Sequence, residues 1–158
     1  MNIREELIRA VDALNAAGIP YAICGGLAVV IHGYPRLTDD IDLLVLPSDV
    51  ARCKTALRDA GFGYANPEPM AFHAGQANHC IVHRVVHFEG EDYLVLDLIE
   101  MDDSLQAVWK GRQTYRWEGR DIFVVSRHGL LQMKKAAARP QDLADIDHLQ
   151  LGEGDADG

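Results

Sequence analysis

The chain has 158 residues, 48% of them hydrophobic, and 24 acidic side chains against 15 basic ones, for a formal charge of −9. That is the size of one domain with ample apolar material for one core, and no apolar run approaches the ~20 residues that cross a bilayer. So acidic a chain is not expected to grip nucleic acid tightly and nonspecifically through its phosphates, which takes a basic surface.

Residues 2–17 predict a first helix, with Leu7, Val11 and Leu14 on its apolar stripe and Gly18 ending it. Residues 21–24 are a short buried strand leading into Gly25, and a helix over 27–32 is stopped by Gly33 and Pro35. A second strand covers 40–46. Ser48 has the chemistry of an N-cap for a helix reaching Ala60, and 63–76, with two prolines and little periodicity, is expected to be a loop. Two hairpins follow, 81–88 with 93–99 and 113–117 with 121–125, each around a Gly-containing turn. Asp103-Ser104 reads as a helix start, Ser126 caps a helix to about Ala138, and Pro140 opens a last one to about Leu151. The fold class is α+β, a mixed and mostly antiparallel sheet with helices packed on it. Residues 1–151 are expected to be one domain and 152–158 an acidic flexible tail. Cys24, Cys53 and Cys80 are odd in number and widely spaced, so they suit a reducing cytoplasm rather than a disulfide or zinc framework.

The chemistry concentrates between Gly25 and Val45. Alternation along a strand puts Asp40 and Asp42 on one face and Ile41 on the other, with the two aspartate Cα atoms roughly 6.5–7 Å apart. Such a pair suits divalent ions about 3.5–4 Å apart. Upstream, the Gly25-Gly26 turn presents backbone N–H groups where phosphate binds readily. A phosphate cradle followed by two carboxylates implies a nucleoside triphosphate handled with magnesium or manganese. Asp97 lies in an apolar strand where a lone carboxylate is costly to bury.

The run Gly25-Gly26, short helix, His32-Gly33, Arg36-x-Thr38-x-Asp40-Ile41-Asp42 resembles the polymerase-β-like nucleotidyltransferases. It is most similar to the small bacterial branch that includes the nucleotidyltransferase toxins of type IV toxin–antitoxin systems. A second, weaker similarity runs from Lys134 through Arg139-Pro140-Gln141-Asp142. The resemblance implies that fold, with Gly25 and Gly26 as phosphate-loop glycines, Asp40 and Asp42 as the metal pair and Asp97 as the third carboxylate. It implies transfer of a nucleoside monophosphate to a hydroxyl of a protein, an RNA or a small molecule, with pyrophosphate released. A toxin–antitoxin partner protein is implied by the same branch.

Each residue also has a plainer reading. Arg36 reaches the triphosphate or is a surface arginine; Thr38 bonds near the metal pair or caps its turn. Lys134 contacts phosphate, as the resemblance favours, or belongs to a solvated lysine pair with Lys135. Asp39 faces away from Asp40 and reads as structural, as do Asp142 and Asp145, paired with Arg139 or a lysine. His32 suits a helix C-terminus as an imidazolium. His79, His83 and His87 share one strand face but are spread too far for one zinc ion, and His73 lies upstream of them.

Overall fold

The computed structural model describes residues 1–72, 79–137 and 139–153. His73 and most of the expected acidic tail lie outside the described residues. Helix α1 (Ile3–Ala16) opens on Asn2, whose Oδ1 accepts from the backbone N–H groups of Arg4 and Glu5. Its buried stripe is Leu7, Ala10, Val11 and Leu14, as the periodicity requires. Strand β1 (Ala22–Cys24) is fully buried and passes directly into α2 (Gly25–Ile31), which therefore begins two residues earlier than expected. Strand β2 (Asp40–Val45) follows.

Two expectations are corrected in the next stretch. The helix after β2 is α3 (Val50–Asp59), entered through a single 3-10 turn over Pro47–Asp49, and Ser48 is not its N-cap. Proline's fixed φ starts that turn instead. The expected loop contains two short strands, β3 (Tyr64–Ala65) and β4 (Met70–Phe72), both on the outer edge of β5 (Cys80–Glu89). Neighbour pairing, rather than their own periodicity, makes them strands.

The first hairpin is β5 with β6 (Asp92–Glu100), and the second is β7 (Gln113–Trp117) with β8 (Arg120–Val124). Between them a turn capped by Asp102 leads to α4 (Gln106–Lys110). Ser126 Oγ accepts from the Gly129 N–H at 3.0 Å at the start of α5 (Arg127–Ala137), and α6 (Pro140–Glu153) starts on its proline.

The strand order is β3-β5-β6-β2-β1-β8-β7, with β4 also on β5. The β2–β6 and β1–β8 pairs are parallel and the other described pairs antiparallel, so the sheet is mixed and mostly antiparallel. One face carries Ile41, Leu43, Leu96 and Leu98, all fully buried, each contributing about 1.5–3 kcal/mol by burial. Helix α1 packs on this face, where its Glu6 meets His87 of β5. The opposite face of the same central strands carries the aspartates. No helix among the described residues is long and apolar enough to cross a membrane.

Candidate active site

Strands β2 and β6 run parallel with Asp42 opposite Asp97 and Asp40 opposite Val95. This register puts three carboxylates on one patch, with oxygens of Asp40, Asp42 and Asp97 all within 4.8 Å of one another. Burial, and then the charges of Asp40 and Asp97, push the Asp42 carboxyl up to about 7. Burial and the Asp97 charge also raise Asp40. Three carboxylates crowded on one patch, two of them pushed upward, make a donor set that a hard divalent ion would relieve. Asp39, just before the strand, is exposed.

The two glycines sit hard against this patch. Gly25 adopts φ +65°, and a Cβ there would collide with the Asp42 carboxylate. A Cβ on Gly26 would collide with the Arg36 guanidinium and lie 2.8 Å from Thr38 Oγ1. Only glycine permits both the left-handed turn and the close approach. Thr38 Oγ1 donates to the Asp40 carbonyl at 3.3 Å, tying the loop to the start of β2.

Lys134 is not solvated. It is 6% exposed, with Nζ 3.0 Å from Asp142 Oδ1 and 3.0 Å from Asp145 Oδ2. Arg36 Nε lies 3.3 Å from Asp145 Oδ1, and Arg139 Nε 2.8 Å from Asp142 Oδ2. Burial alone would raise the Asp142 carboxyl, but hydrogen bonds from Arg139 and Lys134 hold it below the usual carboxylate range. Asp142 and Asp145 therefore pair as expected, and α6 is clasped to α5 and to the loop carrying Arg36. Lys134 and Arg139 are close enough to offset part of the upward push on Asp42.

One residue at the site escaped the sequence reading. Arg84, opposite Asp97 across the β5–β6 ladder, forks onto it with Nε to Oδ1 at 2.9 Å and Nη2 to Oδ2 at 3.0 Å. It is the partner that a buried Asp97 needs. The signal was available: a two-residue turn at Gly90 and Glu91 pairs Glu89 with Asp92, and counting inward pairs Arg84 with Asp97.

The histidines lie elsewhere. His83 and His87 make 2.6 Å contacts with Glu100 and Glu6, and among the described residues the three aspartates form the one potential metal cluster. His32 Nε2 meets the Val125 carbonyl at 2.9 Å, and burial lowers its pKa, so it is not the imidazolium that a helix end would favour.

A mixed sheet with three clustered carboxylates beside a Gly-Gly helix start is the arrangement of a nucleotidyltransferase. The family described as uncharacterised nucleotidyltransferase matches residues 1–149, and the chain belongs to it. Its fold is that of polymerase-β-like nucleotidyltransferases. It resembles the lincosamide antibiotic adenylyltransferase LnuA, solved with lincomycin, at TM-score 0.60 and 19% identity, covering 92% of this chain and 95% of that one. The antibiotic-resistance factor ANT(2'')-Ia is similar at TM-score 0.62 and 13% identity, over 96% of this chain and 85% of that one. JHP933 from Helicobacter pylori is similar at TM-score 0.53 and 16% identity, over 92% and 63%. No curated protein matches the chain in sequence.

Proposed function

We infer that the protein is a magnesium- or manganese-dependent enzyme that moves a nucleoside monophosphate from a nucleoside triphosphate to an acceptor hydroxyl. The observation that carries this reading is the convergence of Asp40, Asp42 and Asp97 against the Gly25-Gly26 turn. Bound at these oxygens, a hard ion would offset triphosphate charge and acidify the acceptor hydroxyl. Asp40 and Asp42 hold the ions, and Asp97 completes the set and assists deprotonation. Gly25 and Gly26 offer backbone N–H groups to phosphate, with Arg36 and Thr38 beside them. Lys134, held in its ion pairs, adds positive field rather than a free ammonium. The acceptor oxygen bonds to the α-phosphorus as the bond from that phosphorus to the β-phosphate bridge breaks, and pyrophosphate leaves. Positioning and charge neutralisation do most of the work.

The acceptor is a protein, an RNA or a small molecule. ANT(2'')-Ia has been solved with adenylyl-2''-tobramycin, and a comparably small hydroxyl compound is the acceptor we favour. Incubation with each α-labelled triphosphate and a host lysate tests the reading, and the size fraction that takes label names the acceptor class. Label should appear with wild type and vanish with Asp42→Asn. No label from any of the four triphosphates refutes catalysis.

A second reading is a binding module, antitoxin-like or regulatory, that keeps the fold without turnover. The fork of Arg84 over both Asp97 oxygens is the observation in its favour. Triphosphate binding without transfer would establish it, and a co-transcribed partner gene would point to a toxin–antitoxin pair.

A further inference from the structure

Asp97 meets the cleft with both oxygens already taken. Arg84 covers Oδ1 and Oδ2 in a two-point fork from the neighbouring strand, the geometry in which guanidinium binds carboxylate best. The fork takes one acceptor site on each oxygen and sets a fixed positive charge beside them, so guanidinium and metal compete electrostatically for the same carboxylate. The two partners differ in freedom. The Asp97 side chain is fixed at the sheet's centre, whereas that of Arg84 is 37% exposed and can swing outward without uncovering the core. An ordinary cross-strand ion pair on an open sheet face contributes about 0.2–1 kcal/mol and would carry no inference. This one ends on a member of the three-carboxylate cluster and offsets part of its negative charge.

We propose that Arg84 is a resident counter-cation of the carboxylate cluster, occupying Asp97 in the metal-free protein and weakening divalent-ion binding until triphosphate arrives. The proposal rests on the nucleotidyltransferase reading and deepens it. Before an ion binds, Arg84 relieves part of the repulsion among Asp40, Asp42 and Asp97. When triphosphate enters with its metal, Arg84 would swing outward, leaving Asp97 in place to hold the ion, and its guanidinium would gain phosphate oxygens as a new anionic partner. Arg84 thus links metal affinity to nucleotide occupancy.

The test needs neither acceptor nor turnover. Manganese is titrated into nucleotide-free protein and its free concentration followed by electron paramagnetic resonance, for wild type, Arg84→Ala, Arg84→Lys and Asp42→Asn. Removing a unit charge a few ångströms from the ion should tighten binding at least about tenfold in Arg84→Ala. Arg84→Lys, which keeps the charge, should stay much closer to wild type. Melts supply the second readout: Arg84→Ala should lose stability in EDTA and recover it with manganese. A merely structural arginine would lower the melting temperature equally in both conditions. If Arg84→Ala does not fold, Arg84→Gln, which keeps donors and drops the charge, replaces it. Manganese binding in Arg84→Ala no tighter than in wild type overturns the proposal, including the case in which neither binds. If Asp42→Asn binds as wild type does, the ion is not at this cluster and the nucleotidyltransferase reading fails with it. If Asp42→Asn loses binding while Arg84→Ala gains none, only the role of Arg84 fails.

Discussion

Asp42→Asn should make the metal-free protein more stable while abolishing transfer. In the folded chain burial and the neighbouring Asp40 and Asp97 charges push the Asp42 carboxyl up to about 7, well above the usual carboxylate range. The folded state therefore holds the proton more tightly than the unfolded one. Below the unfolded value both states are protonated and the residue costs nothing. As pH rises from about 4 to about 7 the cost accumulates, and above that it is complete. Holding the proton from the usual carboxylate range up to about 7 sets an upper limit of about 4 kcal/mol on that cost. Asparagine has nearly the same volume and no charge, so the variant should gain about 2–4 kcal/mol at pH 8 in EDTA, or roughly 5–15 °C in Tm for a chain this size. At pH 4.5 most of the gain should disappear. Magnesium should stabilise wild type at pH 8 and leave the variant almost unmoved. Thermal melts at the two pH values, with EDTA and with magnesium, decide the matter. A variant no more stable than wild type at pH 8, or equally stabilised at both pH values, would refute the argument that burial and neighbouring carboxylates oppose ionisation here.

Three further outcomes follow from the same geometry. Triphosphate binding should require magnesium or manganese, because bare carboxylates repel phosphate; calorimetry showing equal affinity in EDTA would contradict the clamp. Gly25→Ala and Gly18→Ala introduce the same left-handed strain, φ +65° and φ +68°, but only the first pushes a Cβ into Asp42. Gly18→Ala should lose about 1–2 kcal/mol and Gly25→Ala more, because the clash adds to the strain, and only Gly25→Ala should also lose its magnesium-dependent melting shift; a shift retained in both would separate the turn from the cluster. Lys134→Ala leaves Asp142 and Asp145 buried with too few cations, which should cost about 3–5 kcal/mol in urea unfolding. A loss under about 1 kcal/mol would mean that the pair is effectively solvated.

The parts of the site that could be read from sequence are those set by local geometry. Alternation alone places Asp40 and Asp42 on one face, and adjacent glycines before a helix mark the close approach that Gly25 and Gly26 make. Contacts between distant segments were harder. Lys134 stays open in sequence between a phosphate contact and a solvated pair, and Asp142 and Asp145 ask for Arg139 or an unspecified lysine, because only the return of α6 onto α5 shows which ammonium they meet. Strands β3 and β4 are too short to carry a period, and they exist because β5 extends far enough to offer them an edge. Arg84 lies between these cases: its partner follows from the hairpin register, but only once the turn is placed to the residue.

The position of the cluster explains why its cost is built in. On the reverse of the same strands, Ile41, Leu43, Leu96 and Leu98 are fully buried, so β2 and β6 cannot slide or twist apart to relax the repulsion on the other face. A one-residue slip would exchange core and cleft faces entirely. The packing that fixes the carboxylates within 4.8 Å of one another is thus the same packing that withdraws water from them and raises Asp40 and Asp42. Positive charge has to come from somewhere, and the chain supplies it by two routes: Arg84 by direct contact, and Lys134 and Arg139 through the field from α5 and the start of α6. A divalent ion brings more charge than either route and binds oxygens that are already in place. On this account the sheet's core, facing away from the chemistry, determines how strongly the cluster favours the ion.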